Sequence, residues 1–175
     1  MRHAVRVPHR AVSPPAVSPQ PSHAATVAGW SRSAEEAAAW VSLPEHPFPA
    51  AVVASWWEEP GVHARVLLDP DGAPVAYGEV WDDEEEDEVE LARLIVDPAR
   101  RRGGVGRLLV RELLAVAAGT GRASCFLRVA PGNAPALALY RAAGFRPVDP
   151  ALAADWNRAQ PVDYTWLEHP DVRRP

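Results

Sequence analysis

Two hydrophobic periods alternate along the chain, and the points where one gives way to the other divide it into elements. Residues 64–81, ARVLLDPDGAPVAYGEVW, are two apolar runs around Asp69-Pro70-Asp71-Gly72, a strong turn signal that predicts a hairpin with arms at 64–68 and 74–81. Residues 89–96, VELARLIV, read as a third strand, too apolar for a one-sided edge and therefore expected near the centre of a sheet. From Val105 the period turns helical: Val105, Leu108, Leu109, Leu113 and Val116 form one stripe, which Gly119-Thr120-Gly121 ends. SCFLRV at 124–129 returns to a strand, and the strand–helix–strand order predicts a crossover with a parallel or splayed pair of strands. The next helix has Asn133 as its cap, Pro135 in its first turn, Leu137 and Tyr140 on one face and Gly144 as its stop. Two last strands are expected at 145–148 and 162–168.

Upstream of the hairpin, ATVAGW at 25–30 reads as a short strand. Ser33 then caps a helix whose first turn carries Glu35 and Glu36, and Pro44, Pro47 and Pro49 break it. Ala50 to Glu59 reads as a second short helix before Pro60-Gly61, and its Trp56 and Trp57 need a core or a cleft wall to pack against. The seven acids from Asp82 to Glu88 repel one another and predict a solvated loop tip. Five of the 19 prolines fall in the first 21 residues, and Arg2, Arg6 and Arg10 meet no acid before Glu35, so residues 1–23 are expected to be a disordered tail. A single domain over 24–170 and a short tail at 171–175 complete the expected organisation.

Composition narrows the possible chemistry. All 18 basic residues are arginine, so no lysine is available for a pyridoxal-phosphate Schiff base or for the GK[ST] of a nucleotide-binding P-loop. Beyond residue 30, 15 arginines face 23 acids, a balance that argues against a nucleic-acid partner. The opening segment lacks the apolar run of a secretory signal, and it is Pro-rich rather than amphipathic. No stretch approaches the roughly 20 apolar residues that a membrane helix needs. The single Cys125 cannot form an internal disulfide, and a cytoplasmic location is expected. His46, His63 and His169 show no ligand spacing, so no metal site is expected.

The stretch VDPARRRGGVGRLL, 96–109, carries the strongest chemical signal. Amides at a helix start lack intrahelical partners and bind anions where the backbone can be approached, which Gly103, Gly104 and Gly106 permit; Arg100, Arg101, Arg102 and Arg107 add positive charge. A dinucleotide turn does not fit, because Leu109 stands where its third glycine is due. Together with LRVAPGNAPALALYRAAGF at 127–145, this region resembles the two signature regions of the GNAT superfamily of acyl-CoA-dependent N-acyltransferases. Arg101, Gly104 and Gly106 match its (R/Q)-x-x-G-x-(G/A) turn, and Asn133, Tyr140 and Gly144-Phe145 match its second region, over roughly 64–148 in all.

The resemblance implies an α+β (mixed α/β) fold, a mostly antiparallel sheet of about six to seven strands flanked by about four helices. It implies acetyl-CoA as cosubstrate, with its pyrophosphate on the amides of Arg102, Gly103, Gly104, Val105, Gly106 and Arg107, and with Arg101 in the same motif. Pantetheine would pair with the strand edge at Leu94, Ile95 and Val96, in a slot opened where that strand splays from the one holding Leu127 and Arg128. Tyr140 would protonate the departing thiolate, and Asn133 would contact the cofactor backbone or cap its helix. Glu90 is the first candidate for the base, with Glu88 and Glu79 in reserve. An amide of Ile95 or Val96 would stabilise the oxyanion. Relatives that acetylate protein N-termini often carry a glutamate where this chain has Arg128, which favours a small-molecule amine as acceptor. Cys125, on an apolar strand, reads as core rather than nucleophile. The tryptophan-rich parts are candidates for the acceptor's walls, and the assembly is expected to be a monomer or homodimer. A non-catalytic CoA-binding module is the other reading.

Overall fold

The structure, a computed structural model, describes residues 14–172. Its strands are β1 (Ala16–Val17), β2 (Val62–Leu68), β3 (Pro74–Asp83), β4 (Glu88–Val96), β5 (Ser124–Val129), β6 (Arg146–Pro147) and β7 (Thr165–Glu168). Its helices are α1 (Ala24–Ala28), α2 (Ala34–Val41), α3 (Ala50–Trp56), α4 (Val105–Thr120), α5 (Ala134–Ala142) and α6 (Pro150–Asn157). The strands form one sheet in the order β1-β2-β3-β4-β5-β7-β6, with β4 central as its two-sided apolar sequence requires. Every neighbouring pair is antiparallel except β4 and β5, the ends of the crossover through α4.

Alternation along the strands sends residues to two separate cores. On one face Val80, Val89, Leu91, Cys125, Leu127 and Leu167 meet Leu109, Val110, Leu113 and Ala117 of α4 and Tyr140 of α5. On the other, Val66, Tyr77 and Ile95 meet Val27, Ala28, Ala37, Val53 and Trp56 from α1 to α3. Each fully buried leucine in these layers contributes about 1.5–3 kcal/mol relative to exposure. Trp56 makes edge contacts with Trp40 at 5.6 Å between centroids, and Trp57 donates its indole N–H to the Tyr77 hydroxyl at 3.1 Å. The tryptophan pair is thus part of the wall between helices and sheet.

Four expectations change. ATVAGW is not a strand: Ala24, Val27 and Ala28 share one buried helical face, so the segment folds as α1 with Gly29 after it. Part of the expected tail is ordered, since Ala16 and Val17 pair with Leu67 and Val66 and a 3-10 turn spans Pro21–His23, while residues 1–13 and 173–175 lie outside the described residues. The acidic run is only partly a loop. Asp82 and Asp83 extend β3 and Glu88 starts β4, because Asp82 gains an ion pair with Arg122 at 2.6 Å that offsets repulsion from its neighbours. Finally, six helices stand where about four were expected, partly because Asp149 caps α6 by accepting from the amides of Ala151 and Leu152, with Pro150 opening its first turn.

Candidate active site

The glycine turn presents a row of amides that have no internal use among the described residues. After a short 3-10 turn at Pro98–Arg100, the chain passes through Arg102 at φ 61° and Gly104 at φ 83° before α4 begins. Arg107 and Leu108 are the first amides to donate, both to the Gly104 carbonyl, and among the described residues those of Arg102, Gly103, Gly104, Val105 and Gly106 donate to none. Left-handed residues between successive free amides are a feature of the backbone concavities that bind anions. A Cβ on Gly104 would meet nothing within 4 Å, so glycine there serves the backbone angle and leaves the approach open. A Cβ on Gly106 would come within 3.2 Å of Leu139, so that glycine lets α4 pack against α5. The side chain of Arg101 points elsewhere: it reaches the Val96 carbonyl at 3.2 Å, the Trp30 carbonyl at 3.4 Å and the Glu36 carboxylate at 3.2 Å. Arg101 thereby fastens the turn to the early helices, and the bonds from Arg32, with a smaller contribution from Arg101, hold Glu36 well below the usual carboxylate range, at about 2.

A fork in the sheet runs up to this turn. β4 and β5 pair only at Glu88–Ser124, Val89–Cys125 and Glu90–Phe126, and from Leu91 onward the β5 side of β4 has no strand partner. The divergence coincides with a bulge, where the β3–β4 register shifts between Tyr77 and Glu79 and Arg93 takes φ 52°. The Asp97 amide donates to Val75 across β3. By the two-residue alternation of a strand, the Ile95 amide also faces β3, and those of Leu94 and Val96 face the open slot. Of the two candidate oxyanion donors, geometry therefore leaves Val96.

Contacts around Arg93 pin the bulge. The Arg93 carbonyl accepts from the Trp40 indole at 2.8 Å, and its guanidinium lies 4.1 Å from the Trp56 ring centroid and 4.8 Å from that of Trp81. It pairs with Glu79 at 3.1 Å and Glu59 at 3.7 Å. Glu79 is wholly inaccessible and also accepts from the Tyr77 hydroxyl and, at 2.6 Å, from the Trp81 indole. Burial raises its pKa, opposed by Arg93 and those donors. With all its partners internal and no solvent access, Glu79 is a structural anchor rather than a reserve base.

Glu90 sits where the fork begins. It lines a cavity of about 380 Å³ with Glu88, Phe126, Asp155, Trp156, Ala159, Gln160 and Trp166. Burial raises its carboxyl to about 6; Arg128, whose Nε lies 3.1 Å from its Oε1, opposes the shift, and Glu88 adds to it. Glu88 lines the same cavity and is itself raised, by burial and by Asp83 and Glu86. Tyr140 lies across the sheet from Glu90, in the α4 core with Leu127 and Val129, 8% exposed and with its ring edge-on to Phe145 at 6.0 Å. Its hydroxyl has no hydrogen-bond partner among the described residues, and burial pushes its pKa up, so it stays protonated through the neutral range. Asn133 caps α5, its Oδ1 accepting from the Ala136 amide at 3.2 Å. Cys125 is 1% exposed with its thiol pushed up to about 12 by burial, which suits core packing and not nucleophilic attack.

The structure thus brings the turn, the Leu94–Val96 edge and Glu90 to one fork, and places Tyr140 in the core of α4 and α5 on the other face of the sheet. Arg93 and Gln160 were not legible as candidates, whereas Trp156, in the cavity lining, falls among the tryptophan-rich parts expected to wall the acceptor. The roles of Gln160 and Trp156 depend on α6 folding back over β5 and β7, which no local pattern announces. Arg93 could have been flagged only as a charge inside an otherwise apolar strand. Among the described residues no group of three or more His, Cys, Asp or Glu side chains is placed to hold a metal ion, and no helix is long and apolar enough to cross a membrane.

With this geometry in hand, the sequence matches the acetyltransferase (GNAT) family over residues 29–145. It is 38% identical over 107 residues to a mycothiol acetyltransferase of Clavibacter michiganensis, covering 61% of this chain and 33% of that protein. It is 46% identical over 61 residues to an N-alpha-acetyltransferase RimI of Mycobacterium tuberculosis, covering 35% and 37%. The chain spans about a third of the length of these two relatives. Among solved structures, it superposes on a Sinorhizobium meliloti phosphinothricin acetyltransferase in complex with AcCoA with TM-score 0.67 at 19% identity, covering 79% of this chain and 77% of that one. A spermidine N-acetyltransferase from Vibrio cholerae in complex with CoA and spermine gives TM-score 0.66 at 15% identity, covering 78% and 83%.

Proposed function

The chain belongs to the acetyltransferase (GNAT) family, and from that premise we propose that it transfers an acetyl group from acetyl-CoA directly to a primary amine of a small molecule. The observation that carries this reading is the fork. Pairing of β4 with β5 ends at Glu90, and the bare edge beyond it runs to a turn whose five successive amides have no partner among the described residues. Those amides fit a pyrophosphate, and the slot-facing groups of Leu94 and Val96 fit the amides of pantetheine. Acetyl-CoA supplies an activated acyl group; the rest is positioning and proton movement by the chain.

Glu90 removes a proton from the incoming ammonium, directly or through one water, and a carboxyl held at about 6 is matched to that task near neutrality. The Val96 amide donates to the acetyl oxygen as negative charge develops there. Tyr140, kept protonated by burial, delivers a proton to the departing sulfur. The reactants meet in one site, so no covalent enzyme intermediate is needed. A small acceptor is favoured by the cavity of about 380 Å³, which α6 walls with Trp156 and which carries Glu88 and Asp155 beside Glu90, a lining suited to an amine with an organic body.

The test is thiol release from acetyl-CoA against a panel of polyamines, amino acids, aminoglycosides and peptides. Turnover with small amines above the hydrolysis background is expected. Tight CoA binding with no turnover of any acceptor would replace this reading with that of a non-catalytic CoA-binding module.

A further inference from the structure

Arg128 is placed as no purely structural arginine needs to be. It lies on β5, directly opposite Trp166 in register, with its guanidinium 5.9 Å from the Trp81 centroid, 5.5 Å from Tyr164 and 5.5 Å from Trp166. Three rings from two parts of the fold, β3 and the segment leading into β7, thus surround one cation. Its Nη1 donates to the Gln160 side chain at 3.0 Å, and Gln160 lines the cavity that also holds Glu90. Its Nε stands 3.1 Å from Glu90 Oε1, with both side chains only partly open to solvent, at 26% and 22%.

We propose that Arg128 is a positioning residue for the acyl transfer, holding the Glu90 carboxylate at the mouth of the fork and setting the pH at which it can accept a proton. This rests on the reading of Glu90 as base. A short ion pair fixes the direction of the carboxylate, and the ring cage with Gln160 fixes the arginine in turn, so the base is oriented through two successive contacts. The pair also favours the ionised form. A buried carboxylate next to acids resists ionisation, and the charged groups around Glu90 are Glu88 from its own strand, Arg128 from β5 and Asp155 from α6. Asp155 is itself neutralised by Arg158, and on the β3 side Glu79 is neutralised by Arg93, so Arg128 supplies the cation that Glu90 has to itself. The cage has a second consequence: Arg128 already fills it, so an acceptor's own cation is directed to the Glu88 side of the cavity.

The experiment uses the full chain and the best amine of the panel. The pH dependence of kcat/KM is measured for the parent, Arg128→Gln, Arg128→Lys and Glu90→Gln, and the Glu90 carboxyl is titrated by NMR in the first three. In Arg128→Gln the Glu90 titration and the matching break in the profile should both move up by about one pH unit or more, the scale on which an adjacent arginine acts on a carboxylate. Arg128→Lys should recover part of the shift, and acetyl-CoA affinity should be unchanged in both. A uniform loss of rate with the Glu90 titration unmoved would overturn the inference, and the NMR titration decides this even if turnover is too weak to follow. If the break is unmoved in Arg128→Gln but absent in Glu90→Gln, the inference fails and the base stands. If the break survives in Glu90→Gln, the base reading fails and the inference with it.

Discussion

Removing the guanidinium of Arg93 while keeping its stem, as Arg93→Met, tests whether the bulge is held by the buried charge pair. The variant leaves Glu79, which has no solvent access, without the cation 3.1 Å away, and it also removes the contacts over Trp56 and Trp81. Breaking one side of a buried pair costs about 3–5 kcal/mol, because an uncompensated charge stays behind. For a domain of this size each kcal/mol shifts the midpoint by about 2–4 °C, so the melting temperature should fall by roughly 6–20 °C. Glu79 offers a partial escape by taking up a proton. Its folded pKa is already raised above the unfolded value and rises further without Arg93, so the deficit should grow as pH rises through that pKa and shrink as pH falls. Glu79→Gln combined with Arg93→Met removes both charges and keeps an acceptor for the Trp81 indole, so it should be more stable than Arg93→Met alone. Urea unfolding followed by tryptophan fluorescence at pH 5 and pH 7, completed as a double-mutant cycle, measures all of these. A single-variant loss below about 1 kcal/mol, or a double variant no more stable than Arg93→Met, would show that packing and not charge pins the bulge.

Three further outcomes bear on the site. Tyr140→Phe should lower kcat by about 10²–10⁴-fold, the usual worth of a positioned acid, with acetyl-CoA binding by calorimetry little changed; unaltered turnover removes Tyr140 from the reaction. For Glu90, kcat/KM in the parent should climb with slope one below about pH 6, where the carboxyl must lose its proton before it can take one from the ammonium, and level off above. Glu90→Gln should show slope one throughout, so superimposable profiles would place the base elsewhere. Gly104→Asp keeps a residue type that tolerates the left-handed angle and points its side chain into open space, so the fold should survive. Its carboxylate would compete for the free amides, and CoA affinity should fall at least about 100-fold, about 2.7 kcal/mol; retained affinity would separate the turn from phosphate binding.

Much of this architecture could be read locally. The hairpin, the central strand, α4 and α5 each announce themselves by a period and a stop, and the turn at 101–106 combines glycine spacing with a helix start. ATVAGW failed because five or six apolar residues suit either a strand or a helical face, and only packing against α3 selects the helix. The acidic run misled because charge repulsion is a local property, whereas the partner that draws Asp82 into β3 is Arg122, 40 residues further along the chain.

The sequence by itself determined most of the elements, the glycine turn and the residue types available for proton transfer, because these follow from side-chain period, backbone freedom and functional groups within a few positions of one another. Tertiary structure decided what surrounds each of those groups. Glu79, Glu88 and Glu90 are three similar carboxylates on neighbouring strands, yet one is sealed against Arg93 and two open into a cavity. Of those two, Glu90 alone stands at the last paired position before β4 and β5 part, with Arg128 beside it. Sorting them requires knowing what faces each carboxylate from another strand, and that depends on how the sheet pairs and where it splits.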